Sequence, residues 1–372
     1  MSEVNVRPVE GPGDLEAFIE LPWRLYADSS NWVPPLRKDV KQLLSPEHPF
    51  WAKAERQLFL AERNGRVVGR IAAIMDRALI EYRRELAGAW GFFESENDAD
   101  VARALFEAAR VWCASKGLIF FRGPFNPSTN YEIGMLIQGF DLPPCIMMPY
   151  NPSYYPALVE DCGLVKEKDL FAFHFRRGHQ VPQWALALSR RLRERGEVTI
   201  RHINKADLLS EIRLLAEIYQ EAWGSNWGFV PMSQGEMEFM AKSLLPILDV
   251  DLGFFLYVGD EPAGVGLILP DMNPLLKRLN GKVGITGLFK FLRYKSEITG
   301  ARALLFGVKP RFHQMGVPLV AMDYLLELQD KKQQYDHLEM SWNLEDNEAI
   351  NGFLRECGGE LYKTYRIYRR DC

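Results

Sequence analysis

The sequence predicts an α/β protein of the α+β kind, made of two tandem copies of one unit, each a mixed, mostly antiparallel sheet flanked by helices. Three observations predict it. "SSNWVPP" at Ser29–Pro35 and "GSNWGFVP" at Gly224–Pro231 share a Ser-Asn-Trp triplet. At the same offset, "FLAERNGRVVGRIAAIMD" overlies "FLYVGDEPAGVGLILPD", which sets Gly69 on Gly264 and Asp76 on Asp271. Still at that offset, "LVEDCGLVKEKDLFAF" overlies "FLRECGGELYKTYRIY", with Cys162-Gly163 on Cys357-Gly358. One spacing kept over three separate segments marks a duplication. A chain of 372 residues is long enough for two ordinary domains. The expected boundaries are 1–177 for the first copy, 178–197 for a helical linker and 198–372 for the second.

Each element has its own signal. Residues 13–27 carry helical spacing, and "QLFLAER" and "VVGRIAAIMD" read as a hairpin about the turn "NGR". "GAWGFFES" follows, then "NDADVARALFEAARVWCASKG", a helix with acids in its first turn and Gly117 beyond its end. "LIFFRG" reads as a buried strand. The second copy repeats the order, with "ARALLFGV" as strand, "GVPLVAMDYLLELQDKKQ" as helix, "DHLEMSW" as strand, "NEAINGFLREC" as helix and "LYKTYRIYRR" as the closing strand. The linker "GHQVPQWALALSRRLRERGE" is a helix whose Arg190, Arg191, Arg193 and Arg195 read as a solvated face or an anion-binding one.

Composition narrows the function. Apolar residues make up 47% and charged residues 25%, as in a globular protein, and a net charge of -4 argues against general nucleic-acid binding. No targeting signal and no membrane-length apolar run is evident, so a cytoplasmic location is expected. Five scattered cysteines suit free thiols, and the six histidines form no ligand-spaced cluster, so no metal is expected.

This element order, on the repeated segments quoted above, resembles the acyl-CoA N-acyltransferase (GNAT) fold in two copies, an arrangement also seen in Fem-type aminoacyltransferases. The resemblance implies acetyl-CoA or another acyl-CoA as cosubstrate. It also implies a pyrophosphate loop ahead of a helix, and "GVKPRFHQMGVPLVAMDYLLE", Gly307–Glu327, is the matching segment. Unpaired amides at a helix start bind phosphate oxygens, so Val308, His313, Gln314, Met315, Gly316 and Val317 are the expected cofactor residues, with Asn347 beyond them. His313 stands where the family has Arg or Gln, and Pro318, which has no amide hydrogen, replaces the last Gly or Ala. In the first copy the corresponding loop "FESENDADVA" carries Glu94, Glu96, Asp98 and Asp100, which would repel a pyrophosphate.

The family's general-acid Tyr falls at Leu354 by that alignment. On the strand "DHLEMSWN", alternation puts His337, Glu339, Ser341 and Asn343 on one face. Glu339 is the expected base, with Ser341 beside it and Tyr362 on the next strand as the remaining catalytic candidates. Two insertions interrupt the repeat. The first, "GPFNPSTNYEIG", offers Asn126, Ser128, Thr129, Asn130 and Glu132 as acceptor-binding groups or as a self-satisfied turn. The second, "PLLKRLNGKVGITGLFKFLRYKSE", is basic, with Leu288, Phe291 and Leu292 at helical spacing, and reads as a lid, a membrane-surface helix or a solvated cover.

The expected function is acyl transfer from coenzyme A to a small-molecule or peptide amine in the C-terminal copy. The alternatives are an inactive GNAT-like ligand-binding protein and a tRNA-dependent aminoacyltransferase of Fem type.

Overall fold

A computed structural model of the chain describes residues 3–284 and 287–372. It contains two compact units, one formed by Met1–Leu170, Leu276–Lys290 and Lys363–Cys372, the other by Phe171–Leu275 and Phe291–Tyr362. The first unit runs β1 (Asn5–Pro8), α1 (Gly11–Leu25), α2 (Arg37–Leu43), β2 (Ala54–Arg63), β3 (Arg66–Asp76), α3 (Arg77–Arg83), β4 (Ala87–Ser95) and α4 (Ala99–Ser115). It continues with β5 (Phe120–Gly123), β6 (Phe125–Asn126), β7 (Glu132–Ile133), β8 (Met135–Gln138), α5 (Tyr155–Asp161) and the first half of β9 (Val165–Arg176). Then come α6 (Gln183–Glu194), β10 (Val198–His202), α7 (Leu208–Trp223), α8 (Gln234–Leu244), β11 (Gly253–Val258), β12 (Glu261–Pro270), α9 (Asn273–Leu279) and α10 (Gly287–Tyr294). The chain closes with β13 (Gly300–Val308), α11 (Val317–Lys331), β14 (His337–Leu344), α12 (Glu348–Glu356) and β15 (Glu360–Asp371).

In the first unit β1 to β4 pair in sequence, each antiparallel to the next. β5 lies parallel to β4, and β15 lies antiparallel beside β5. In the second, β10 to β13 pair antiparallel in sequence and β14 lies parallel to β13. The second sheet thus repeats the first strand for strand, as the sequence repeat predicts.

The repeated residues are those with a fixed backbone task. The β2–β3 ladder shifts register between Ala61 and Glu62 opposite Gly69 and Val67, and the β11–β12 ladder shifts between Leu256 and Tyr257 opposite Gly264 and Pro262. Asp76 accepts hydrogen bonds from the Ala78 and Leu79 amides at the start of α3, and Asp271 accepts from the Asn273 amide at the start of α9. Side-chain oxygens at helix starts satisfy donors that have no helical partner. Cys162 and Cys357 end α5 and α12, and Gly163 and Gly358 follow at φ 79° and 87°, a left-handed conformation that glycine adopts without strain. Asn31-Trp32 lies in the connection between α1 and α2, and Asn226-Trp227 in the connection between α7 and α8.

Aromatic packing holds the first unit together, with Trp90 fully buried edge-on to Phe106 at 4.9 Å. In the second, Phe255, Val265 and Ile218 pack between sheet and α7. Part of the basic insertion belongs to the first unit. There Trp23 donates to Asn280 at 2.9 Å, and the Arg37 guanidinium lies 3.7 Å from the Trp23 ring centre. The side chain of Leu288 lies outside the described residues, while Phe289 and Leu292 on α10 are exposed. Among the described residues no helix is long and apolar enough to cross a membrane.

Candidate active site

The fourth strand of each unit carries an extra residue. Opposite Arg70 and Ala72 of β3 stand Glu94 and Gly91 of β4, and opposite Leu267 and Ile268 of β12 stand Leu305 and Ala303 of β13. Such bulges twist a strand away from its neighbour and gather at functional sites. The β13–β14 ladder runs from Gly300↔His337 to Ala303↔Met340 and ends there, while β13 continues to Val308 and β14 to Leu344. Leu304 to Gly307 are only half-buried along this free stretch. In the first unit the same place is occupied by the chain itself. Asn126 Oδ1 accepts from the Phe92 amide at 2.6 Å, and a Cβ on Gly91 would stand 1.8 Å from the Phe125 carbonyl oxygen.

The first-copy acids have other employment than repelling phosphate. Glu94, its side chain 13% exposed, accepts from Tyr26 and Tyr155 at 2.9 and 2.6 Å and lies 3.5 Å from Arg70. Burial, opposed by Arg70, pushes its carboxyl above the ordinary carboxylate value. Asp98 caps α4 and pairs with Arg63, Glu96 pairs with Arg24 and Arg66, and Asp100 pairs with Arg103.

The polar core of the second unit lies where its ladder ends. By register Arg302 of β13 stands opposite Glu339 of β14, and both are almost fully buried, their charged groups 3.8 Å apart. Glu339 accepts hydrogen bonds from the Ser341 hydroxyl on one oxygen and from the Tyr362 hydroxyl on the other. Arg302 donates to the Ser341 hydroxyl at 3.0 Å and to the Ser341 carbonyl at 3.2 Å. A buried carboxylate needs such partners, because desolvation without them costs several kcal/mol. The three expected catalytic residues, Glu339, Ser341 and Tyr362, are therefore brought into one hydrogen-bonded group. Tyr362, not Leu354, carries the hydroxyl, and Leu354 is fully buried in the apolar core.

Two members of this group escaped the sequence reading. Arg302 sits in the apolar run "ARALLFGV", where a lone buried cation was the available signal. His174 of β9 stacks at 5.1 Å from the Tyr362 ring, and His337 lies 5.1 Å beyond it and bonds Asp336 at 2.5 Å. Burial first, then His337 and Arg176, hold the His174 imidazole down at about 4, so it is uncharged at neutral pH. Unfolded, His174 takes its proton near 6.5, and folded only near 4. The unfolded chain binds more protons across that window, so this residue makes stability fall as pH drops through it. His174→Asn should flatten the decline in melting temperature between pH 7 and pH 5, and superimposable curves for variant and wild type would refute the assignment. His48 and His179, also held down by burial, contribute to the decline in the same direction.

Within the expected phosphate loop, Gly307–Glu327, Lys309 is buried and bonded to Glu217 at 2.7 Å and Glu221 at 3.0 Å. A tight helical turn, Pro310–Met315, follows, and His313 bonds the Val308 carbonyl at 2.8 Å, tying two of the expected cofactor residues to each other. Gln314 and Met315 are exposed at the start of α11, and Val317 is buried. Gly316 adopts φ 77°, a left-handed conformation that favours glycine, and a Cβ there would also meet the tip of the Leu192 side chain of α6 at 2.7 Å, so the turn requires glycine without any ligand. Substituting Gly316 would test folding as much as ligand binding. Pro318 occupies the first turn of α11, where a missing amide hydrogen costs no helical bond. Asn347 caps α12 by accepting from the Ile350 amide at 3.3 Å. In the linker helix Arg193 pairs with Glu327 of α11.

Of the expected acceptor groups, all in the first unit, Asn126 is committed to Phe92 and Ser128 Oγ accepts from the Asn130 amide at 3.3 Å. Ser128 and Thr129 are buried, and Glu132 pairs within the β6–β7 ribbon.

Two repeats of a sheet with a bulged fourth strand, a parallel fifth strand and a helix launched from the end of the fourth define a tandem GNAT protein. Among solved structures the chain is similar to a tandem GNAT protein from the clavulanic acid biosynthesis pathway, with TM-score 0.56, 12% identity, and coverage of 99% of this chain and 98% of that one. It is also similar to a GCN5-related N-acetyltransferase from Sphaerobacter thermophilus, with TM-score 0.55, 12% identity, and coverage of 99% and 95%. At such identities the likeness shows the fold. No family model matches the chain. Sequence similarity reaches further. The chain is 37% identical over 381 residues to bacterial ceramide synthase of Caulobacter vibrioides, covering 99% of this chain and 98% of that protein. It is 35% identical over 373 residues to protein YghO of Escherichia coli, covering 98% and 95%. The chain belongs to the family that contains these two proteins.

Proposed function

We propose that the second unit is an acyl-coenzyme A-dependent N-acyltransferase that joins a fatty acyl group to the primary amine of a long-chain amino alcohol in the cytoplasm. The observation that carries this reading is the buried Arg302–Glu339–Ser341–Tyr362 group at the end of the β13–β14 ladder. Its finer part rests on kinship, since ceramide is the amide of a fatty acid with such an amino alcohol and the relative 37% identical along nearly its whole length is named a ceramide synthase.

The thioester supplies an activated acyl carbon. The free stretch of β13 suits an extended pantetheine by strand-like hydrogen bonding, and the turn from His313 to Val317, exposed at His313, Gln314 and Met315, with Val308 behind it and Asn347 beyond, suits the phosphates. The acceptor arrives as an ammonium ion. It gives one proton to the Tyr362 oxygen as the Tyr362 hydroxyl proton moves to Glu339. The freed nitrogen lone pair forms the C–N bond, the C–S bond breaks, and the second amine proton leaves on sulfur as the coenzyme A thiol. Arg302 and Ser341 are positioning residues that hold Glu339 in place.

Incubating the purified chain with acetyl, octanoyl, palmitoyl or stearoyl thioesters and sphinganine, ethanolamine or a peptide amine tests the reading. Thiol release and an N-acyl product by mass spectrometry are expected with sphinganine and a long thioester. Thioester binding without turnover on any amine would favour an inactive binding protein, and no binding would remove the cofactor site.

A further inference from the structure

Within the second unit a small apolar cavity of about 40 Å³, partly open to solvent, lies under α11. Ile268 of β12, Ala301 of β13, Leu338 of β14, and Met322, Leu325 and Leu328 of α11 form its walls. We propose that this cavity receives the distal hydrocarbon of the acyl group, reached through the gap where the β13–β14 ladder ends. The proposal deepens the transferase reading and rests on it.

Strand alternation supplies the path. Side chains two apart on a strand share a face, so Ala301 and Ala303, with Leu338 and Met340, face α11, whereas Arg302, Glu339 and Ser341 face the other way. The reacting group therefore lies on the opposite face of the sheet from Ala301 and Leu338, while His337, the first residue of β14, also borders the cavity. The proposed path crosses beyond the Ala303↔Met340 pair, where the ladder ends, and displaces the buried Met340 side chain beside Ala303 to reach the cavity walls at Leu338 and Ala301. Met340 adapts its shape readily because its side chain is unbranched. His179, Gln329, Tyr335 and His337 also line it, but the surface turned to the cavity is almost wholly apolar, and apolar cavities of this kind bind apolar guests. Each methylene drawn in should raise affinity about fourfold.

Displacement of cis-parinaric acid by hexanoate, octanoate, laurate and palmitate reads occupancy without coenzyme A, and the kcat/KM ratio for palmitoyl over octanoyl thioester reads it in turnover. Ala301→Leu and Leu328→Phe, each checked by melting temperature, should weaken palmitate displacement about tenfold more than octanoate displacement and lower the turnover ratio by a similar factor. Folded variants with the wild-type displacement series, or wild type without saturable fatty-acid binding, would overturn the proposal. Should both variants unfold, a diazirine-bearing fatty acid decides, with label on residues 322–328 in support and label elsewhere against. Absence of turnover with every thioester and amine would sink the transferase reading, while the free-acid series would still decide the cavity.

Discussion

Tyr362→Phe lowers kcat by about 10²- to 10⁴-fold, the usual share of a positioned proton-transfer group, while KM for the thioester stays within about twofold and the fold survives. The substitution removes one oxygen from a half-buried ring and keeps its stacking on His174. Glu339 loses one of two hydroxyl donors but retains Ser341 and the Arg302 guanidinium, so the carboxylate is not stranded. A fall in kcat at constant KM marks an interaction made in the transition state. The test uses the thioester and amine selected by the substrate screen. Wild-type kcat in Tyr362→Phe would remove the hydroxyl from the proton path, and an equal rise in KM would recast Tyr362 as a binding residue.

Arg302→Met is expected to cost about 3–5 kcal/mol of folding stability, because it strands the almost fully buried Glu339 without its cation. The isolated cost of shortening a packed side chain is smaller than that. The double variant Arg302→Met with Glu339→Gln should recover a large part of the loss, since a neutral amide is far less costly to bury than a lone charge. Chemical denaturation of wild type, both single variants and the double variant closes the cycle. Losses that simply add would show that the two groups do not share an interaction, and Arg302 would lose its place in the site.

The repeat was legible because duplicated turns and caps need particular residues. Asp76 and Asp271 cap helices, Gly163 and Gly358 take positive φ, and these tasks are local enough to survive in the text of the sequence. Alternation likewise placed Glu339 and Ser341 on one face, and Tyr362, the first Tyr of the following strand, proved to be bonded to Glu339. Arg302 and His174 were illegible for a different reason. Their partnership with Glu339 and Tyr362 depends on the register of a parallel ladder and on the placing of β9, both set by segments far apart in the chain. The acidic first-copy loop misled in its reason, since Glu94 and its neighbours are absorbed by Arg and Tyr partners that charge counting cannot assign.

By itself the sequence determined the duplication, the order and type of the elements, and the polar face of β14, because each follows from contacts between residues close along the chain or from side-chain period. Only the tertiary structure decided that the β13–β14 ladder stops at Ala303↔Met340, that the matching place in the first unit is filled by Phe125 and Asn126, and that Gly316 turns at positive φ beside Leu192 of α6. Those outcomes depend on where a bulge lets two strands part and on what volume the neighbouring chain then fills, and close packing of distant segments leaves no periodic trace in the residues themselves.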